Sequence, residues 1–292
     1  MDTLLLKGLP VSQNIKLSLK KEIDSLRNKN VIPTLSAVLV GNDPASQIYV
    51  NSKHKTFINN NCKSTVHKLD EHIPENELID FIYSLNNDSD VHGILVQLPL
   101  PKHLNEEKVL EAIDARKDVD GIHPLNVGKL LRGIPDFISC TPAGCLEILK
   151  YYNIPVQSRH VVIVGRSNIV GKPLMALLSQ KFKIGNSTVT ICHTGTKDIK
   201  AYTMQADILI AAIGNPNYID ANMVKQGVDI LDVGINRIKD DSEKGYKIIG
   251  DVDYDSVFGI ANSITPVPGG VGPMTITMLL NNTVKAAGRT IS

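Results

Sequence analysis

The sequence predicts a two-domain α/β protein with a parallel sheet in each domain. Apolar runs of strand length alternate with segments of helical periodicity along a chain of 292 residues, a length that suits two domains. A stretch rich in glycine and proline interrupts this alternation near Ser139. We therefore place the first domain at residues 1–139, the second at 140–270, and a C-terminal helix at 271–292.

The first domain opens with a helix and a strand. The segment "SQNIKLSLKKEIDSLRNKN" repeats apolar residues at helical spacing from Ile15 to Leu26, and "TLSAVLVG" is an apolar run of strand length. Asp43 and Pro44 supply an N-cap and a first-turn proline, so a second helix begins there. Next, "ELIDFIYSL" predicts a helix and "VHGILVQLPLP" a buried strand that ends in a proline-rich loop.

The second helix carries a polar face. Its Ser46, Tyr49 and Lys53 are spaced to lie on one side. This face is either a proton-transfer site or an ordinary solvated surface. A Tyr-x-x-x-Lys pair is also typical of short-chain dehydrogenases, but in those enzymes the nucleotide loop precedes the pair. Here the pair comes long before the glycine turn at Gly165, so that interpretation is a minor alternative.

The second domain opens with "VVIVGRSNIVG", which predicts a strand, a tight glycine turn and a helix start. This order places a helix N-terminus where it can bind a pyrophosphate. Gly165 occupies the first glycine position of the dinucleotide motif, but Ser167 stands where the second glycine is expected. The runs "STVTICHT", "ADILIAAIG" and "VDILDVGIN" predict the next strands, so we expect a Rossmann-like domain.

The second strand of this domain indicates which dinucleotide binds. It ends in His193 and Thr194, whereas an NAD-binding domain usually carries Asp or Glu there to bind the ribose 2′-hydroxyl. Arg166 lies in the glycine turn, and a guanidinium suits a 2′-phosphate. We therefore predict NADP rather than NAD, with a surface salt bridge as the alternative role for Arg166.

Composition and charge exclude several kinds of partner. A formal net charge of +1 gives no field that would attract nucleic acid or an anionic membrane. The N-terminal "MDTLLLKGLPV" is too short for a signal-peptide core, and no apolar run of about 18 residues occurs. The four cysteines show no CxxC spacing and suit reduced thiols. We expect a cytoplasmic protein and predict no metal ion.

Several motifs together resemble one enzyme family. In order they are "YVNSKHK", "GILVQLPLP", "KDVDGIHPLNVGKL", "CTPAG", "GRSNIVGKP" and "TPVPGGVGPMTITML". Over nearly the whole chain they look like the bifunctional methylenetetrahydrofolate dehydrogenase/methenyltetrahydrofolate cyclohydrolases. The resemblance implies oxidation of 5,10-methylenetetrahydrofolate with NADP, then hydrolysis of the methenyl cation to 10-formyltetrahydrofolate. It also implies a homodimer and a C-terminal helix that returns to the first domain.

The resemblance also implies roles for single residues. Lys53 would be the acid/base group and Tyr49 would orient or stack on the folate, while Gln97 would hold Lys53 and Asp120 would bind the pterin ring. The remaining expected contacts fall in two groups. The cofactor would touch Gly165, Arg166, Ser167, Thr194 and Ile235, and the folate would also touch Leu98, Pro99, Pro266, Pro268, Gly269 and Gly270.

Simpler roles compete with these assignments. A glutamine at a strand end is often a cap, an aspartate before glycine is a common turn residue, and a Pro/Gly loop such as "TPVPGG" can be a plain interdomain linker. Two other functions also remain open, namely an NADP oxidoreductase acting on an amino or hydroxy acid and a non-enzymatic dinucleotide sensor. A sensor would not need Tyr49, Lys53, Gln97 and Asp120 together.

Overall fold

The structure is a computed structural model that describes residues 2–181, 184–241 and 245–291. Met1 and Ser292, the outermost residues of the predicted domains, lie outside the described residues. Contacts divide the chain into two compact units. We call them the Lys53 unit (Asn14–Cys140 and Ile276–Ser292) and the Gly165 unit (Met1–Gln13 and Thr141–Thr275).

The described chain contains both strands and helices, which alternate over most of its length. The strands are β1 (Leu4–Leu5), β2 (Thr34–Val40), β3 (Lys63–Leu69), β4 (Gly93–Val96), β5 (His160–Val164), β6 (Thr188–Cys192), β7 (Ile208–Ala211), β8 (Asp229–Asp232), β9 (Asn236–Lys239), β10 (Tyr246–Ile249) and β11 (Ser263–Ile264). The helices are α1 (Gly8–Asn28), α2 (Pro44–Asn59), α3 (Glu75–Asn87), α4 (Glu106–Glu111), α5 (Pro124–Leu131), α6 (Cys140–Tyr151), α7 (Gly171–Ser179), α8 (Ile199–Thr203), α9 (Tyr254–Val257) and α10 (Gly272–Gly288). None of these helices is long and apolar enough to span a membrane.

The Lys53 unit contains a three-stranded parallel sheet in the order β3-β2-β4. Its central strand β2 is buried over six of its seven residues, as expected for a parallel strand covered on both faces. Val38 and Ile94 of this sheet pack with Leu78 and Ile82 of α3 in one apolar core. The predicted strands and the predicted helix over "ELIDFIYSL" are therefore confirmed.

Helix α2 begins where the sequence predicts. The carboxylate of Asp43 accepts a hydrogen bond from the backbone amide of Ser46 at 2.7 Å, and Pro44 is the first helical residue. Ser46 is buried at this cap. Its side chain also hydrogen-bonds to the Asp43 carboxylate, so Ser46 takes part in the cap of the helix.

The Gly165 unit contains a six-stranded parallel sheet in the order β1-β11-β8-β7-β5-β6. The four strands β5 to β8 are the predicted Rossmann-like series. Their buried side chains, among them Val162, Leu209 and Ile230, form a second apolar core. Strands β9 and β10, which the sequence did not predict, form a separate antiparallel pair.

At both ends of the chain, a terminal segment belongs to a different unit from the part of the chain next to it. Strand β1 pairs in parallel with β11, so the first 13 residues cluster with the Gly165 unit, whereas the predicted bounds placed them in the first domain. Helix α10 begins in the Gly165 unit, but from Ile276 onward it belongs to the Lys53 unit. Its Asn282 amide donates to the Val119 carbonyl at 2.8 Å. The predicted return of the C-terminal helix is confirmed.

Candidate active site

The carboxyl edge of the three-stranded sheet places Lys53 beside Gln97. Strand β4 ends at Val96, and the next residue is Gln97, whose backbone amide still bonds to Val38 of β2 at 2.9 Å. Strand β2 leads through its following loop into α2, which carries Lys53. The Lys53 Nζ donates to Gln97 Oε1 at 2.9 Å. Ligands of parallel α/β sheets bind at this edge, so the pair occupies a position suited to function.

Lys53 has the electrostatics of an acid/base group. Burial lowers the pKa of its amine below the ordinary lysine value, because removal from water disfavours the charged form. The negative charge of Asp120 opposes part of this shift. Lys53 therefore has a larger neutral fraction near neutral pH than an exposed lysine. A partly buried, hydrogen-bonded lysine with a lowered pKa does not fit a solvated helix face.

Tyr49 lies one helical turn before Lys53 and is 41% exposed. Partial burial raises the pKa of its phenol, so the hydroxyl stays protonated at neutral pH. The ring thus offers an accessible aromatic face. Stacking on a planar ligand stays a prediction for Tyr49, and the described contacts assign it no proton-transfer partner.

Two aspartates of "KDVDG" have different surroundings. Asp118 is buried and accepts hydrogen bonds from the three successive backbone amides of residues 121–123 and from Asn126 Nδ2 at 2.7 Å. It therefore holds the turn that follows. The turn role that competed for Asp120 is thus performed by its neighbour. The carboxylate of Asp120 lies near Lys53 and within hydrogen-bonding reach of the Cys140 thiol.

Cys140 is a further member of this cluster that the sequence did not identify. It is fully buried, and burial raises the pKa of its thiol well above the ordinary value, with the Asp120 charge adding to the effect. Its Sγ donates to the Val119 carbonyl at 3.4 Å. The motif "CTPAG" drew attention to this position, but nothing in it indicated a contact with Asp120.

Leu98 and Pro99 follow Gln97 directly. The Leu98 carbonyl accepts a hydrogen bond from Gln97 Nε2 at 2.7 Å, and the Leu98–Pro99 peptide is cis. The first contact fixes which end of the Gln97 amide faces Lys53, because the nitrogen is already bonded. Pro99 is exposed at the same edge.

The glycine turn in the Gly165 unit is closely packed. Gly165 has a φ of 136°, and a Cβ there would lie 2.1 Å from the Ala212 carbonyl oxygen. A Cβ on Gly171 would lie 2.0 Å from the Gly165 carbonyl oxygen. Gly171, the first residue of α7, thus allows the close helix–turn contact that the third glycine gives in the usual motif. Although the motif lacks its second glycine, the close packing between the glycine turn and α7 is retained.

Arg166, Ser167 and Thr194 line one cleft of about 440 Å³ with Gly165. Arg166 Nη1 lies 3.4 Å from His193 Nε2, on the loop that follows β6. No carboxylate occurs among the described residues that line this cleft. The structure thus brings together four of the five predicted cofactor contacts and presents a guanidinium where an acid would bind a 2′-hydroxyl.

The Pro/Gly loop follows β11 within the Gly165 unit. Gly269 has a φ of 110°, and its carbonyl accepts from the Gly8 amide at 2.9 Å. The Pro266 and Pro268 rings precede it, and the Val267–Pro268 peptide is cis. Ile235, the fifth predicted cofactor contact, is 47% exposed, and its Cδ1 lies 4.0 Å from the Cβ position of Gly272. Ile235 thus lies beside the end of this loop.

Both halves of the chain match known protein families. The family described as tetrahydrofolate dehydrogenase/cyclohydrolase, catalytic domain, matches residues 6–120. The family described as tetrahydrofolate dehydrogenase/cyclohydrolase, NAD(P)-binding domain, matches residues 139–291. The Bifunctional protein FolD of Pelodictyon phaeoclathratiforme is 53% identical over 290 residues, which cover 98% of each chain.

Solved structures show the same similarity. The bifunctional enzyme FolD, a methylenetetrahydrofolate dehydrogenase/cyclohydrolase from Campylobacter jejuni, is 48% identical with a TM-score of 0.93 over 99% of each chain. The Trypanosoma brucei methylenetetrahydrofolate dehydrogenase-cyclohydrolase, solved with NADP and an inhibitor, is 32% identical with a TM-score of 0.93. That alignment covers 100% of this chain and 99% of the other.

Proposed function

The chain belongs to the tetrahydrofolate dehydrogenase/cyclohydrolase family, and we propose that it oxidises 5,10-methylenetetrahydrofolate with NADP and hydrolyses the product to 10-formyltetrahydrofolate. The single observation that carries the hydrolytic half is the hydrogen bond from Lys53 Nζ to Gln97 Oε1 at 2.9 Å. Family membership favours this function over an amino- or hydroxy-acid oxidoreductase and over a dinucleotide sensor.

NADP fits the cleft of the Gly165 unit. Gly165 and Gly171 let the backbone approach a pyrophosphate closely, and α7 begins directly behind the turn. Arg166 supplies a positive charge for a 2′-phosphate, beside a loop without a lining carboxylate in the described chain. Bound NADP supplies the hydride acceptor for the oxidation. Removal of a hydride from the methylene carbon leaves a cation stabilised by two nitrogens, so this step needs orientation rather than a base.

The hydrolysis needs an acid/base group. Water adds to the methenyl carbon while the neutral Lys53 amine accepts a proton from it. The resulting Lys53 ammonium then donates that proton to N5 as the carbon–N5 bond breaks, and the remaining hydroxyl proton leaves as the formyl group forms. Gln97 Oε1 accepts a hydrogen bond from the lysine and so directs its lone pair toward the water.

The other site residues bind the substrate. Asp120 accepts two hydrogen bonds from the amino-pyrimidine edge of the pterin, in the manner of a charge-assisted pair. Tyr49 stacks on the folate, with Leu98 and Pro99 beside it. The resemblance implies further folate contacts from Pro266, Pro268, Gly269 and Gly270. These assignments follow from the family resemblance and from the cluster around Lys53.

The family resemblance also supports a homodimer that works in the cytoplasm. All four cysteines are buried and unpaired, as suits a reducing compartment. Light scattering coupled to size exclusion tests the dimer directly, because a mass near 31.9 kDa would correspond to a monomer and would refute it.

The function is tested by following both steps in one cuvette. Purified protein receives 5,10-methylenetetrahydrofolate and NADP, and absorbance reports NADPH and the methenyl intermediate separately. In a second cuvette, authentic methenyltetrahydrofolate is given without NADP. Turnover in both cuvettes supports the proposal. Oxidation without hydrolysis would leave only the dehydrogenase activity. The absence of both reactions would refute both activities.

A further inference from the structure

A buried carboxylate outside the catalytic cluster holds the loop that follows β7. Asp251 is completely buried, and its Oδ2 accepts from the backbone amides of Ile213 at 2.6 Å and Gly214 at 2.9 Å. Its Oδ1 accepts from the amide of Asn215 at 3.0 Å. Three successive amides thus converge on one carboxylate, an arrangement that fixes the loop backbone.

This loop is one wall of the nucleotide cleft. Ala212, Ile213 and Asn215 line the same cleft as Arg166. The Ala212 carbonyl also lies against Gly165, where no Cβ would fit. A shift of the loop would therefore change the space available to a dinucleotide and the contact between Ala212 and the glycine turn.

Asp251 also connects the loop of residues 213–215 to the segment at Asn236. Its Oδ1 accepts from Asn236 Nδ2 at 2.8 Å, and Asn236 directly follows Ile235, a predicted cofactor contact. The Cβ position of Gly234 would lie 2.4 Å from the Asp251 carboxylate, so only glycine allows this approach. The backbone amide of Asp251 is in turn held by Asp232 Oδ1 at 3.0 Å.

We propose that Asp251 is a positioning residue for the cofactor, which holds the loop of residues 213–215 and the segment at Asn236 in their binding geometry before NADP arrives. The inference rests on the proposed use of NADP. A carboxylate is required because all four groups that contact it are donors. An asparagine would direct its own N–H groups at some of these donors and leave them unpaired.

The test compares Asp251→Asn with Asp229→Asn. Asp229 is a matched control because it is also a buried carboxylate of this unit, but it bonds to Arg159 at 2.7 Å and to Ser263 at 2.7 Å, away from the loop. Isothermal titration calorimetry measures NADP binding to each full-length protein. Loss of paired backbone donors predicts about tenfold weaker binding, or more, for Asp251→Asn and little change for Asp229→Asn.

Two further measurements separate positioning from general damage. Hydrogen exchange without NADP should show protected amides at residues 213–215 in the wild type and faster exchange in Asp251→Asn. In kinetics, the Michaelis constant for NADP should rise while hydrolysis of authentic methenyltetrahydrofolate, which needs no NADP, continues at the wild-type rate. An equal loss of affinity in Asp229→Asn would overturn the inference, as would unchanged binding in Asp251→Asn.

Two contingencies have decisive readouts. If circular dichroism shows that Asp251→Asn does not fold, Asn236→Ala takes its place, because this variant removes one of the four donors and keeps the Asp251 carboxylate. A loss of NADP affinity smaller than tenfold in Asn236→Ala supports the inference. Wild-type affinity in Asn236→Ala refutes it. If the wild type binds NAD and not NADP, the proposed cofactor fails, while the same comparison made with NAD still decides the role of Asp251.

Discussion

Gln97 faces Lys53 with its oxygen and Leu98 with its nitrogen, at 2.9 Å and 2.7 Å. The second bond fixes the orientation of the amide, so the lysine meets an acceptor and never a donor. A neutral lysine amine has two N–H donors and one lone pair. Donation to Gln97 leaves that lone pair for the water molecule that attacks the methenyl carbon.

Replacement of Lys53 by Met should abolish most cyclohydrolase activity. The substitution keeps the apolar stem but removes the amine, and general acid–base help is worth about 10²–10⁴-fold. Methenyltetrahydrofolate should therefore accumulate during methylene oxidation, with a smaller effect on the dehydrogenase. Absorbance traces of both steps in the purified variant measure this. Full cyclohydrolase turnover in Lys53→Met would contradict the assigned role.

The rate of hydrolysis in the wild type should rise with pH through the pKa of Lys53. Burial lowers this pKa, so the neutral amine forms at a lower pH than in an exposed lysine, and the midpoint should lie below 10.5. Below the midpoint the amine is protonated and cannot accept a proton from water. Rates are measured over a pH series after subtraction of the uncatalysed reaction, and a midpoint at or above 10.5 would disprove the shift.

Replacement of Gln97 by Glu should move that midpoint upward. A carboxylate at this position would face the Lys53 amine and stabilise its ammonium form, which raises the pKa. At neutral pH the hydrolysis should therefore slow, and activity should recover at higher pH. The same pH series measures the shift, and Lys53→Met should show none. A downward shift in Gln97→Glu would contradict the contact.

The two aspartates should respond differently to substitution. Asp120→Ala should weaken both activities together, because both use one folate pose, and it should change the stability little. Asp118→Ala should destabilise the fold by about 3 kcal/mol or more, since it leaves several buried donors unpaired. Urea denaturation and the two assays separate these outcomes. Loss of the dehydrogenase alone in Asp120→Ala would show that this residue is not a pterin anchor.

Replacement of Arg166 by Ala should reduce the preference for NADP. A charge-assisted contact with the 2′-phosphate is worth roughly 1.5–3 kcal/mol, so the Michaelis constant for NADP should rise about tenfold or more while that for NAD changes little. Steady-state rates with both cofactors provide the measurement. Equal use of NAD and NADP by the unmodified protein would refute the assignment.

Local signals in the sequence predicted much of the fold. Asp43 and Pro44 set the start of α2 because a cap and a first-turn proline act within a few residues. Strand β3 was not predicted, since it lies at the edge of its sheet and alternates exposed and partly buried residues without an apolar run. The antiparallel pair β9 and β10 was not predicted either, because its residues are exposed or partly buried and form no apolar run.

The site was predictable where a residue's chemistry is visible in its own segment. Lys53 and Tyr49 share a helix face, and Arg166 stands in a glycine turn. Cys140 and Asp251 were missed because their roles depend on contacts with distant parts of the chain, Asp120 for the first and residues 213–215 for the second. Periodicity and spacing carry no information about such tertiary contacts.

The pairing of β1 with β11 has a consequence for synthesis on the ribosome. Leu4 lies opposite Ser263, and the Thr3 hydroxyl donates to the Ala261 carbonyl at 2.8 Å. The ribosome makes the first strand early and its partner near the end, so the first strand waits unpaired through most of translation. The Lys53 unit likewise lacks its segment from Ile276 until that segment has been translated. Each unit is thus completed only after a segment far along the chain has been translated, namely β11 for the Gly165 unit and the part from Ile276 onward for the Lys53 unit.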